Sequence, residues 1–194
     1  MKVRILFLIC FLCITCLLNA ADKPVIQIHT DNSSLIFHVA DNGRLYQSYL
    51  GKKLNHETDI SHLPQGTEAY ITHGMEDYFE PAIHILHNDG NPSLLLKYVS
   101  HETKAVSQGV NETIITLGDD KYPVTVKLHY VTYPAEDIIK TYTETSHKEK
   151  KPVVLHQYAS SMLHLNRAKY YLTEFSGDWA HEANISDQPL EFGK

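Results

Sequence analysis

Beyond residue 16 the sequence has no cysteine. A disulfide framework and a thiolate metal site are therefore excluded from the body of the chain. Glycine and proline are sparse, at 9 and 8 of 194 residues, which excludes collagen-like and low-complexity polymers. Basic residues are in deficit: 17 Lys and Arg stand against 23 Asp and Glu, for a net charge of −6. With no basic stripe, nucleic acid is not an expected partner. No H-E-x-x-H helix, G-x-S-x-G elbow or glycine-rich phosphate loop occurs. After residue 21 there is no convincing apolar period of 3.6 residues, so long amphipathic helices are not expected.

What is present begins with a leader. Lys2 and Arg4 precede an apolar run from Ile5 to Leu18, and Asn19-Ala20-Ala21 supplies small residues. That order reads as a secretory signal over residues 1–20, with a run too short for a comfortable membrane span. Cys10, Cys13 and Cys16 all lie inside it. Residues 21–194 are then expected as one exported domain, secreted or periplasmic, without disulfides and without a membrane span. Such a domain has to rest on its apolar core, for which this length is enough.

The dominant period is two. Val124, Val126, Leu128 and Tyr130 alternate with Thr125, Lys127 and His129, the pattern of a half-buried strand. Leu35, Phe37 and Val39 repeat it, and Asp41-Asn42-Gly43 turns the chain into residues 44–50. Further strands are expected at 25–30, 68–72, 81–87, 93–100, 112–117, 137–146, 153–165 and 169–175. Turn clusters at His87–Pro92, Gly118–Asp120 and His147–Pro152 punctuate them. Regular short strands with this punctuation predict an all-β, antiparallel β-sandwich.

Thirteen histidines raise the question of a metal. His84 and His87 are three apart, which in a strand puts them on opposite faces. No ligand spacing of a zinc site appears, so neither metal nor cofactor is expected, and the histidines read as ordinary strand-surface residues. Residues 74–81, Gly-Met-Glu-Asp-Tyr-Phe-Glu-Pro, are more distinctive. Carboxylates accept sugar hydroxyls and aromatic faces stack on sugar C–H surfaces, so this loop suits a carbohydrate; a solvated acidic turn is the plainer alternative. Its acids need not flank a glycosidic bond, and no catalytic residue is assigned. A second aromatic group, Tyr170, Tyr171, Phe175 and Trp179, is expected to serve strand core.

These segments together resemble a known family. Asp31–Phe37, followed by Gly43-Arg44-Leu45-Tyr46 and Tyr49-Leu50-Gly51, is similar to the opening of the family 36 α-galactosidases. Asp77–Pro81 resembles their G-D-F-R-x-P element, Asp137-Ile138-Ile139 a strand start, and Phe175–Glu182 their segment around G-x-W-a-R-E. The resemblance implies a supersandwich of the galactose mutarotase type that precedes a (β/α)₈ catalytic barrel. It implies further a retaining mechanism whose two aspartates belong to that barrel. The K-W-D setting of the nucleophile is missing here, since the one tryptophan, Trp179, follows Asp178. The chain is accordingly expected to be an N-terminal fragment, incomplete at its C-terminus and inactive alone. Its expected partners are an α-galactoside sugar or the enzyme's remaining domains, with a homo-oligomer in the full-length form.

The resemblance also implies that Asp77 contributes to substrate binding, in a loop thought to reach a neighbouring subunit's sugar site. Phe79 stands where the family has arginine and Glu76 where it has glycine, an exchange of five donors for none at residue 79. His181 likewise replaces an arginine. The alternatives are a stand-alone carbohydrate-binding β-sandwich of the bacterial envelope and a purely structural exported domain.

Overall fold

Val124, Val126 and Leu128 are each no more than 2% exposed, while Lys127 between them faces solvent. The alternation in sequence is thus the alternation in space. A computed structural model describes residues 23–75, 80–165 and 170–190. It contains β1 (Val25–His29), β2 (Ser33–Val39), β3 (Leu45–Lys52), α1 (Glu57–Ser61), β4 (Thr67–Glu68), β5 (Ile83–Leu86) and β6 (Leu96–Ser107). These are followed by β7 (Val110–Asp119), β8 (Val124–Tyr133), β9 (Ile138–His147), β10 (Val154–Tyr158), β11 (Tyr171–Asp178) and β12 (His181–Pro189).

Two antiparallel sheets, β1-β2-β3-β4 and β6-β7-β8-β9, pack their apolar faces together. Ile26, Ile28, Leu35 and Phe37 of the first meet Ile115, Leu117, Val126 and Leu128 of the second. The rings of Phe37 and Tyr130 touch across the gap at 5.2 Å and 46°. A buried side chain of this size contributes about 1.5–3 kcal/mol, so this layer dominates the stability of the fold. The short pair β10-β5 adds Ile83 and Ile85 to the same core. The all-β antiparallel sandwich is therefore the observed architecture.

At one end the two sheets are tied by turns. Asp137, with φ of +56°, closes the β8–β9 connection. Its Oδ2 accepts from Ser33 Oγ at 3.1 Å, and Thr30 Oγ1 donates to its Oδ1. Asp31 N donates to Pro134 O at 3.2 Å beside them. In the Asp41-Asn42-Gly43 turn, only Gly43 takes a positive φ, and Asn42 Oδ1 accepts from Arg44 N at 2.9 Å.

Several expectations are corrected. The strand expected over 153–165 ends at Tyr158, and residues 159–165 run on without strand structure. The strand expected at 68–72 reduces to Thr67–Glu68 plus a bridge from Thr72 to Ile83. β6 runs on to Ser107 and turns into β7 at Gly109, while residues 100–107 are exposed and so show no apolar period. The second aromatic group does not serve the core. β11 and β12 form a separate hairpin with Phe175 71%, Tyr171 68% and Trp179 94% exposed. The one helix among the described residues, α1, buries no residue, in keeping with the missing helical period. No helix among the described residues is long and apolar enough to cross a membrane. The expected signal over 1–20 lies outside the described residues.

Candidate functional site

The acidic and aromatic loop leaves the sandwich where Ala82 N donates to Ile71 O at 2.7 Å and His73 N to Ile83 O at 3.0 Å. Asp77, with Glu76, Tyr78 and Phe79, lies outside the described residues. The frame on either side is described. Gly74 takes a φ of +86°, and a Cβ there would lie 2.9 Å from Ser93 Oγ and 3.0 Å from Ser93 Cα. Only glycine suits both demands, so the loop's entry is set by close approach to the 87–93 turn. At its exit Gln157 Nε2 on β10 donates to Pro81 O at 2.9 Å and to Glu80 Oε1 at 3.3 Å.

Beside Met75 a cavity of about 170 Å³ is lined by Ser93, Leu94, Leu95, Asp119 and Tyr122 among others. Most of its polar groups are engaged within the turn. Asp119 Oδ1 accepts from the backbone of Lys121 and Tyr122, and its Oδ2 from Leu95 N at 2.6 Å. Asp120 pairs with Lys97. Tyr122 Oη donates to Asp89 Oδ2 at 2.9 Å. A sugar needs free donors and acceptors, and these groups offer few; the cavity serves the turn rather than a ligand.

The histidines form three arrangements that the sequence did not disclose. His87 is 2% exposed, stacked on Tyr122 at 3.6 Å and 8°, and its Nδ1 lies 2.7 Å from Glu149 Oε1. Its Nε2 lies 3.1 Å from Ser93 O. Burial opposes ionisation of Glu149, yet bonds from His87 and from Asn88 backbone and side chain hold its carboxyl below the ordinary range. This clasp joins the 87–93 turn to the β9–β10 connection. Both segments read as turns in the sequence; their pairing, 62 residues apart, had no local signal.

The second arrangement lies on the outer face of the second sheet. Glu112 Oε1 accepts from Tyr142 Oη at 2.6 Å and faces His129 Nδ1 at 2.9 Å, and Lys104 Nζ reaches its Oε2 at 2.9 Å. These bonds, Tyr142 foremost, bring the Glu112 carboxyl down to about 2. The same bond pushes the Tyr142 phenol up to about 12. The three strands β7, β8 and β9 place these residues at one parity, so the network staples the sheet. Three of its members, Glu112, His129 and Tyr142, are not the exposed polar positions that strand alternation implies. Their local sequence is an ordinary polar strand face, and only the register brings them together.

The third is a column of rings. His73 and His84 stack at 3.7 Å and 19°, and His84 meets His156 at 4.8 Å and 35°. His84 is half-buried on β5, while His87, just past its end, is buried. Among the described residues no three His, Cys, Asp or Glu groups are placed to hold a metal ion.

Comparison with known proteins gives a consistent family. Residues 43–194 match the profile described as "Glycosyl hydrolase family 36 N-terminal domain". Among solved structures, an α-galactosidase from Lactobacillus brevis superposes with a TM-score of 0.74 at 21% identity, over 87% of this chain and 28% of that one. A variant of the α-galactosidase AgaA from Geobacillus stearothermophilus, in complex with raffinose, gives 0.79 at 20% identity over 88% and 28%. AgaB of the same organism gives 0.75 at 19% identity over 88% and 29%. The chain thus spans under a third of the length of the enzymes it superposes on. No curated protein sequence matches it.

Proposed function

The chain belongs to the family of glycosyl hydrolase family 36 N-terminal domains, and from that premise we propose that it is the non-catalytic N-terminal sandwich of an α-galactosidase. The observation that carries the reading is the family match across residues 43–194, joined to a sandwich that superposes on α-galactosidases over most of this chain. The site chemistry agrees. Retaining hydrolysis of a glycoside needs two free carboxyl groups set about 5–5.5 Å apart across the bond. Glu112, Glu149, Asp119 and Asp137 are each bound by donors of this same chain. Their work is to fasten strands and turns.

In this reading terminal α-galactosides are the substrate class of the whole enzyme, and the partners of this domain are the enzyme's other domains and a second subunit. Residues 1–20 direct export, so the enzyme is secreted or periplasmic. Asp77 accepts sugar hydroxyls from the loop that Gly74 and Gln157 frame. Charge-assisted hydrogen bonds of that sort contribute about 1.5–3 kcal/mol.

The experiment is Asp77→Ala in a full-length, oligomeric relative that carries this loop. KM for a small α-galactoside should rise roughly ten- to a hundredfold, since 1.4 kcal/mol is a factor of ten. Size-exclusion chromatography should show the oligomer intact. An unchanged KM with an intact oligomer returns Asp77 to a solvated turn acid.

A further inference from the structure

We propose that the ring column His73–His84–His156 is an acid-released clasp, holding β10 on β5 at neutral pH and freeing it when the imidazoles take up protons.

The geometry makes the column sensitive to charge. Ring centroids 3.7 Å and 4.8 Å apart suit neutral imidazoles, whose faces can stack. Two imidazolium ions at these separations repel, and among the described residues no charge of opposite sign acts on His84. Among the described residues its electrostatic neighbours are His73 and His156 alone. The groups on the packed elements are His73 from the segment before the loop, His84 from β5, and His156 and Tyr158 from β10. Glu80, on the lead into β5, has its Oε1 bonded by Gln157. Burial, followed by the two neighbouring histidines, holds the His84 imidazole below the ordinary histidine range.

The strand that the column retains is weakly held otherwise. β10 is five residues long, and Val154, Leu155 and Tyr158 are all about half exposed. Its ladder to β5 is interrupted between Leu155 and Gln157, the point where His156 sits. Beyond the ladder it is braced by Gln157, and at its end by Ala159, whose N donates to Ala82 O at 2.7 Å and whose O accepts from Tyr70 Oη and Thr143 Oγ1. A local unit of so few contacts opens independently of the core.

The sign follows from linkage. With the folded imidazole below its unfolded value near 6.5, the open state binds more protons once pH falls below that value. Closure is complete above about pH 6.5 and weakens as pH falls through the window beneath it.

The test is amide hydrogen exchange on the full chain at pH 7.5 and 5.5, expressed as protection factors. Protection across residues 154–158 should fall several-fold at the lower pH, with one ring able to contribute at most roughly tenfold at pH 5.5, and β2, β7 and β8 should be unchanged. In His84→Gln, which removes the central charge, the pH dependence of β10 should vanish. His156→Gln, at an exposed position, is the second variant and should flatten it as well. Unchanged β10 protection in the natural chain overturns the proposal. So does full pH dependence in either folded variant, or a loss at pH 5.5 that is equal in β2, β7 and β8.

Discussion

Gln47 holds the backbone of His164 as a neighbouring strand would: its Nε2 donates to His164 O at 2.9 Å, and its Oε1 accepts from His164 N at 3.3 Å. Gln47 is fully buried, and residues 159–165 have no strand ladder of their own. Tyr70 Oη and Thr143 Oγ1 fix the other end of this segment by donating to Ala159 O at 2.7 and 3.1 Å. Side chains thus replace a sheet edge here. Gln47→Leu keeps the volume but strands the partly buried N–H and C=O of His164. It should cost about 2–4 kcal/mol, from two groups at about 1–3 kcal/mol each with partial relief by water. Urea unfolding checks this, with an unchanged m-value confirming that the rest of the fold survives.

Gly66 closes against the backbone of the same residue. Its φ is +78°, and a Cβ would come within 1.9 Å of Gln47 O, a backbone atom that cannot step aside. Gly66→Ala is expected to cost about 3 kcal/mol or more, beyond the ordinary 1 kcal/mol or so of a left-handed residue. Thermal unfolding of the variant measures it.

The Glu112 network sets an acid limit. Its folded carboxyl lies at about 2, below the ordinary value of 4.5, so the unfolded state binds more protons between the two. The stability it confers is fully present above about pH 4.5 and is lost as pH falls towards 2. Glu112→Gln should lower stability at pH 7 by about 1.5–3 kcal/mol and flatten the profile below pH 4.5. Denaturant titrations at pH 7, 4.5 and 3 distinguish this from a general acid effect. A variant curve parallel to the natural one would remove Glu112 from the account.

How far the sequence carried the fold depended on burial on one face. β2, β3, β8 and the Asn42-Gly43 turn were legible because an apolar period of two ran against polar neighbours. β6 was read short and β12 missed, because exposed strands carry no such period. The candidate loop could be seen from composition alone. Gln47, Glu112, Glu149 and the stacked histidines could not, since they act through partners on other elements, as far as 117 residues away. A polar residue on a strand looks the same in sequence whether it is solvated or bonded across a register.

The β11–β12 hairpin places Tyr171, Phe175 and Ile185 on one face, with Phe175 paired opposite Ile185. All three are more than 60% exposed, and an apolar two-stranded ribbon with open edges is a site of association. Phe175→Thr with Ile185→Thr should reduce concentration-dependent light scattering, while the melting transition of the sandwich moves by less than about 0.5 kcal/mol in stability. Scattering that does not change would assign association to another surface.

On the function proposed above, this sandwich supports a hydrolase without carrying its chemistry. The most direct measurement is the turnover of an aryl α-galactoside by the purified chain, beside an intact family 36 α-galactosidase under the same conditions. No turnover above the uncatalysed rate is expected, because Glu112, Glu149, Asp119 and Asp137 are engaged by donors of this same chain and the two aspartates of a retaining mechanism are expected in the catalytic barrel. A kcat/KM within tenfold of the intact enzyme would contradict it.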